Sequence, residues 1–357
     1  MQRRPARHLN AGQKIRVLVV DDSVVIRRLI CHALEQDPDV EVVGFASNGV
    51  AALERIPQTT PDLLTLDLEM PEMDGLTTLH HVRQLYPSIR VIMFSTLTTR
   101  GAAATLDSLA QGADDYVAKA SNAGALEESM AQLRGELLPR IHQFFERDDV
   151  PRVPACEVVA SSSRKTPAGR VRAVGIGVST GGPAALGQIM PLFPAGFPLP
   201  IFLVQHMPPL FTRFLAERLA ATSALSVKEA VDGEEARQGC AYVAPGDFHL
   251  KIVRDADRIV TALDQSPPEN SCRPAVDVLF RSMASAYNGA VVAAVLTGMG
   301  QDGMRGALVL REAGARIIAQ DELSSVVWGM PGSVVRAGAA DRVVPLDEVV
   351  PAILEYL

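Results

Sequence analysis

Only four cysteines occur in this chain of 357 residues, Cys31, Cys156, Cys240 and Cys272, and no two form a CxxC pair. That spacing excludes a zinc ribbon and a disulfide framework, and it fits a reducing compartment. Long apolar runs are missing as well. Stretches such as Ala290–Leu296 are of strand length, far short of the roughly 20 residues that cross a bilayer. The N-terminal MQRRPARHLNAGQK is basic, but no apolar core follows it, so no secretory signal is expected. Basic residues are not in excess: 34 Lys and Arg face 41 Asp and Glu, a formal net charge of -7. The pI near 5.6 argues against nucleic acid as the main partner, because phosphate backbones attract clustered Lys and Arg. A soluble, cytoplasmic protein with no membrane insertion is expected.

What is present is a globular composition, 48% apolar and 21% charged, with length for two ordinary domains. No internal solenoid repeat is seen. In the first part, β-branched runs at Ile15–Val20, Val40–Phe45, Leu63–Leu66, Val91–Phe94 and Tyr116–Ala118 alternate with helical patterns. Such βα alternation implies a parallel sheet with helices on both faces. From Glu146 to Gly169 the periodicity gives way to Pro, Ser and charge, the mark of a linker. Strand-like runs then resume at Val174–Val178, Ile201–Gln205, Ala241–Ala244, Ala290–Leu296, Arg316–Ala319 and Arg342–Pro345. The expected fold class is α/β throughout: a (βα)5 doubly wound sheet, then a second doubly wound, largely parallel α/β domain. Pro191–Phe197 reads as an apolar helix of the core or rim.

The carboxyl ends of parallel strands share one edge, where functional residues gather. Asp21 and Asp22 follow the first strand, Asp67 the third, Ser95 the fourth and Lys119 the fifth. A single Asp in such a place is ordinarily a solvated loop residue. This set of residue types at successive strand ends is not so explained. Three close carboxylates repel unless a hard cation lies among them, and Mg²⁺ with oxygen ligands suits them. A carboxylate beside such a cation and a lysine can attack a phosphoryl group, with both positive charges neutralising the transferred oxygens.

In the second half, VGIGVSTGGPAAL sets Ser179 between a strand and a helix, in a glycine-rich turn whose free N–H groups suit a developing oxyanion. A serine nucleophile needs a base, and the base needs an orienting carboxylate. His206, ending IFLVQ, is the best-placed base among 7 histidines. Asp302, in LTGMGQDG, is the best-placed orienter. Gly177–Gly181 formally matches the GxSxG elbow of α/β-hydrolases, but that fold orders its triad Ser, acid, His, whereas here the order is Ser179, His206, Asp302. Gly298–Gly303 matches GxGxxG, with Asp321 about twenty residues on. Too little chain follows for two βαβ halves, so a dinucleotide site remains the weaker alternative to a sharp turn aiming Asp302 inward. His249 and Asp277 are read as structural.

Two resemblances emerge from these motifs. VVDDS, LDLEMPEMDGL, MFSTLT and DYVAK together resemble a response-regulator receiver domain. That resemblance implies Asp67 as phosphoacceptor, Asp21, Asp22 and Asp67 as Mg²⁺ ligands, and Lys119 and Ser95 as grips on the phosphoryl group. Tyr116 would be the aromatic that reorients on activation. Ala120 departs from the proline usual after the lysine. IGVSTGGP, VQHMPPLFT, YVAPGDFHL, RPAVDVLF, LTGMGQDG and QDELSSVVWGMPGSVVRAGAADRVVPL resemble the CheB-type protein-glutamate methylesterases of bacterial chemotaxis.

The second resemblance implies a phosphorylation-activated hydrolase of glutamate γ-methyl esters on methyl-accepting chemotaxis receptors. It also implies deamidation of specific receptor glutamines, a histidine kinase as phosphodonor, and no cofactor at the esterase site. Ser179 becomes nucleophile, His206 base and Asp302 its partner. Thr180 and Met299 would line the site, with the Met299 backbone N–H a candidate oxyanion donor. Cys272 and Trp328 depart from the family's usual His and Tyr or Phe. The implied layout is a receiver over 14–134, a linker over 146–169 and a methylesterase domain over 170–357.

Overall fold

The computed structural model describes residues 7–10, 12–96, 98–119, 126–147 and 170–357. Two compact units divide the chain, Met1–Arg152 and Val153–Leu357. In the first unit a short strand, β1 (Arg7–Leu9), precedes β2 (Ile15–Val20), β3 (Val40–Ala46), β4 (Leu63–Asp67), β5 (Arg90–Ser95) and β6 (Asp115–Ala118). The last five form one sheet in the order β3-β2-β4-β5-β6, and every neighbouring pair is parallel. Strands β4 and β5 are buried along their whole length. That burial on both faces explains why their sequences read as continuous apolar runs.

Helices begin where polar caps allow them. Ser23, Asn48, Asp74 and Thr98 each accept a backbone N–H from the first turn that follows. The helix Val24–Glu35 buries Ile30, Ala33 and Leu34 on one face. Composition assigned Glu146 and Arg147 to the linker, but they end a strand, β7 (Phe145–Arg147), paired in parallel with β1. The rest of that expected linker, residues 148–169, lies outside the described residues, as do Ala120 and Cys156.

The second unit contains β8 (Ala173–Val178), β9 (Ile201–Gln205), β10 (Ser226–Glu229), β11 (Cys240–Val243), β12 (His249–Asp255), β13 (Arg258–Asp264), β14 (Val291–Val295), β15 (Arg316–Gln320) and β16 (Arg342–Val344). Seven of these make a parallel sheet in the order β10-β11-β9-β8-β14-β15-β16. β12 and β13 stand apart as an antiparallel hairpin. The edge strand β10 and this hairpin add to the strands read from sequence. SVKE buries only Val227, and HLKIVRD ends in exposed charge, so neither carries the run of buried β-branched residues that marks a central strand.

The apolar helix expected at Pro191–Phe197 is not formed. A 3₁₀ turn, Met190–Leu192, ends the preceding helix, and Phe193 and Phe197 bury their rings edge to face, centroids 5.0 Å apart. The core of this unit runs from Phe202 and Tyr242, whose rings stack, through Phe280 and Met283 to Val334.

Candidate functional site

The first unit gathers its expected residues at one sheet edge. Asp67 ends β4, Ser95 ends β5, Asp21 and Asp22 follow β2, and Lys119 follows β6. The Lys119 Nζ lies 2.7 Å from Asp67 Oδ2 and 2.9 Å from Asp21 Oδ2. Asp21, Asp22 and Asp67 each offer one oxygen, all within 4.8 Å of one another. An all-oxygen set this tight suits a hard divalent cation such as Mg²⁺, since one ammonium cannot balance three acids.

Burial lifts the Asp67 carboxyl to about 6; the hydrogen bond from Lys119 opposes the rise and the Asp21 charge adds to it. Burial also works against the Lys119 charge, but the two carboxylates outweigh it and hold the ammonium above its ordinary value. Around these groups the cavity is lined by Glu69, Met70, Asp74, Thr96 and Arg100. Ser95 is not aimed at the carboxylates. Its buried hydroxyl donates to the carbonyls of Gly101 at 3.1 Å and Thr96 at 3.2 Å. Tyr116 is buried, which drives its phenol well above the usual range.

In the second unit Val178 and Gln205 are register partners on β8 and β9. Ser179 and His206, the next residues along, therefore leave the sheet as neighbours. The Ser179 N–H donates to the Thr297 carbonyl at 3.0 Å. Its own carbonyl accepts from the Gly182 N–H at 2.8 Å and from Gln205 Nε2 at 3.0 Å. The same Gln205 amide reaches the His206 carbonyl at 3.3 Å, so one buried side chain ties down both turns. Gly182 makes room for it, because a Cβ there would lie 1.9 Å from Gln205 Oε1.

His206 Nε2 bonds Asp302 Oδ2 at 2.7 Å. Asp302 is buried and accepts from four further donors. The Val276 N–H reaches Oδ2 at 2.6 Å. Asn270 Nδ2 reaches Oδ1 at 2.9 Å, and the N–H groups of Asp277 and Gly303 do so at 3.0 Å. Val276 and Asp277 open a helix, so its positive end faces the carboxylate. Burial disfavours charge on both members of the pair. For His206 the Asp302 carboxylate overcomes it, with the adjacent Cys272 thiol contributing, and the imidazole is held above its usual value. For Asp302 the imidazole and the helix N–H groups overcome it, and the acid is held below the usual range.

The glycine-rich loop after β14 presses on the serine: a Cβ on Gly298 would lie 2.8 Å from Ser179 Cβ. Met299 follows at the rim, 40% exposed. The buried Thr180 accepts from Thr297 Oγ1 at 2.9 Å through its carbonyl. Asp321, the acid that a dinucleotide reading requires, is occupied by the Ser324 N–H and hydroxyl. The Trp328 indole donates to the Gln320 carbonyl at 2.9 Å. His249, fully buried, joins the Ala275 N–H to the Pro267 carbonyl, and Asp277 accepts from the Gly306 N–H and from Asn270.

Gln205, Thr297 and Asn270 also contact these residues, outside the set expected from the sequence. Gln205 and Thr297 carried a signal, since each borders a residue already singled out. Asn270 sits in an irregular loop with none.

A parallel-sheet unit with an acid-and-lysine pocket, joined to a second whose sheet edge presents Ser, His and Asp, defines a response regulator with an α/β enzyme as output. The chain belongs to the CheB methylesterase family, matching CheB methylesterase over residues 174–353 and the response regulator receiver domain over 17–131. A relative from Trichodesmium erythraeum, named protein-glutamate methylesterase/protein-glutamine glutaminase, is 49% identical over 349 residues, covering 96% of this chain and 99% of its own. Another of that name, from a Nocardioides species, is 51% identical over 350 residues, covering 96% and 95%. The crystal structure of the Thermotoga maritima CheB methylesterase catalytic domain aligns over 52% of this chain and 99% of its own. The identity is 46% and the TM-score 0.52. Among the described residues no helix is long and apolar enough to cross a membrane.

Proposed function

We propose that this chain hydrolyses glutamate γ-methyl esters on methyl-accepting chemotaxis receptors and deamidates specific receptor glutamines, in the cytoplasm, under control of its own phosphorylation. The observation that carries this reading is the placement of Ser179 and His206 on adjacent strand ends, with His206 bonded to Asp302, in a chain of this family. Nε2 is committed to Asp302, which leaves Nδ1 as the nitrogen that takes the Ser179 proton. The serine oxygen attacks the γ-carbonyl, and backbone N–H groups, Met299 among them, receive the oxyanion while Thr180 lines the site. His206 then gives that proton to the departing methoxy oxygen, or to the glutamine amide nitrogen so that it leaves as ammonia. Next it draws a proton from the attacking water and returns it to the Ser179 oxygen as glutamate is released.

Control begins at Asp67, whose carboxylate accepts a phosphoryl group from a histidine kinase. Mg²⁺ held by Asp21, Asp22 and Asp67 would supply charge neutralisation at the transferred oxygens. Lys119, already bonded to Asp67, shifts its contact to the new phosphate. Ser95 rotates away from Gly101 to do the same, and Tyr116 follows. A tethered receiver has a high effective concentration near its own output domain, so this change shifts a closed–open balance in the enzyme.

Methanol release from methylated receptor membranes, measured with and without a small phosphodonor and Mg²⁺, tests the reading. Release that rises with phosphodonor is expected. Release indifferent to it would remove the switch, and no release would remove the assigned substrate.

A further inference from the structure

Asp302 and Asp277 are two buried acids on opposite sides of one side-chain amide. Asn270 Nδ2 lies 2.9 Å from Asp302 Oδ1 and 3.0 Å from Asp277 Oδ2, so each of its two N–H bonds has a carboxylate to itself. Asp302 is 2% exposed and Asp277 is fully buried. Two carboxylates so placed repel, and burial already pushes Asp277 upward. The amide cannot be reversed, because its oxygen would then face both acids.

The chain presents this amide through a dedicated turn. Glu269 and Cys272 exchange both backbone hydrogen bonds, at 3.0 and 2.9 Å. The two residues between them, Asn270 and Ser271, have φ of 52° and 62°. This is the left-handed two-residue hairpin turn that favours Asn in its first place. Arg281 clamps the turn with two hydrogen bonds to the Glu269 carboxylate. Its last residue, Cys272, stands beside His206. One turn thus touches both the acid and the base of the candidate site.

We propose that Asn270 is a positioning residue for ester hydrolysis: its carboxamide holds Asp302 in the orientation that faces His206 and insulates it from Asp277. This rests on the reading of Ser179, His206 and Asp302 given above. The charged and titratable groups that face this pair are Asp277 and Glu269, Arg281, Cys272 and the buried His249. Asn270 is placed to give Asp302 and Asp277 one shared neutral donor.

Two substitutions separate the amide from the turn, because glycine and aspartate both accept positive φ. Asn270→Gly keeps the turn and removes the donor. Asn270→Asp keeps size and turn but donates only when protonated. Full-length variants are assayed for methanol release from methylated receptor membranes over a range of pH, with thermal melting followed in parallel and Ser179→Ala as control. Removing a buried hydrogen bond to a charged group predicts a roughly tenfold to hundredfold fall in kcat for Asn270→Gly, with KM within about twofold. Its inflection in kcat/KM moves to lower pH, because a less firmly held Asp302 supports less charge on His206. Asn270→Asp loses further ground to wild type as pH rises and its extra carboxyl ionises.

If both variants match wild type in kcat and pH profile while Ser179→Ala is inactive, Asn270 only shapes a turn and the proposal is wrong. Unfolding of both would contradict it too, since the role assigned is local. Wild-type release that survives Ser179→Ala, or no release at all, overturns the underlying functional reading and the proposal with it.

Discussion

Ser179 and His206 leave two neighbouring parallel strands at the same level, and a single side chain, Gln205, donates to the backbone carbonyl of each. The proposed nucleophile and base are therefore positioned by sheet register and one shared amide, with the Thr297 carbonyl and the loop after β14 set against Ser179. Register is the more rigid device, because sliding a strand by one residue would turn all its side chains to the other face.

Gly182 tests that device. Its missing Cβ leaves the space that Gln205 Oε1 occupies, 1.9 Å from where the atom would stand. Gly182→Ala is expected to displace the carboxamide, lower stability by ~1–3 kcal/mol as overpacking does, and reduce esterase kcat. Thermal melting and methanol release measure both effects. A variant as stable and active as wild type would mean that the Gln205 amide positions nothing.

The charge on His206 sets the expected pH dependence. As the proposed base, His206 must be neutral to take a proton, and Asp302 holds its imidazole above the ordinary value. The kcat/KM profile should therefore rise with pH and inflect above ~6.5. Asp302→Asn should lower kcat by roughly 10³–10⁴-fold and move the inflection down. The linkage to stability has the matching sign. A raised imidazole contributes stability that is fully present below ~6.5 and lost as pH climbs through its folded value. A wild-type inflection below that of an unperturbed histidine would contradict the pairing.

The proposed switch rests on Asp67 and Lys119, which are in contact at 2.7 Å. Asp67→Asn should abolish stimulation by phosphodonor and leave release at the unphosphorylated level. Lys119→Ala should do the same and also remove the 2.7 Å ammonium contact that steadies Asp67. Chelation of Mg²⁺ should silence stimulation without touching the unstimulated rate. Phosphodonor titrations of the three conditions check this, and stimulation that persists in Asp67→Asn would place the phosphoacceptor elsewhere.

The parallel strands were legible because burial on both faces leaves runs dominated by apolar residues, as in Ile15–Val20 and Ile201–Gln205, where expected and observed limits coincide. Strand Ser226–Glu229 escaped notice because an edge strand buries little; Val227 alone is buried there. The hairpin His249–Asp264 mixes core residues with exposed charge and turns at Ala256, in the left-handed region with φ 53°, so its period is weak. Pro191–Phe197 reads as helical by apolarity, but its two prolines and the glycine limit it to one 3₁₀ turn.

The same limits hold at the sites. Asp21, Asp67 and Lys119 were visible as strand-end residues, and their contacts follow from parallel topology. The orientation of the Ser95 hydroxyl toward Gly101 depends on how the following helix packs, which no spacing encodes. Asn270 reaches Asp302 across 32 positions of sequence through a turn of two left-handed residues. Only tertiary structure reveals that contact.

The most direct test of the account compares methanol release from methylated receptor membranes by the full chain and by Ser179→Ala, both with phosphodonor and Mg²⁺ present. Release by the wild-type chain and its loss to background in the variant, with melting unchanged, are expected. Release by Ser179→Ala at the wild-type rate would contradict it.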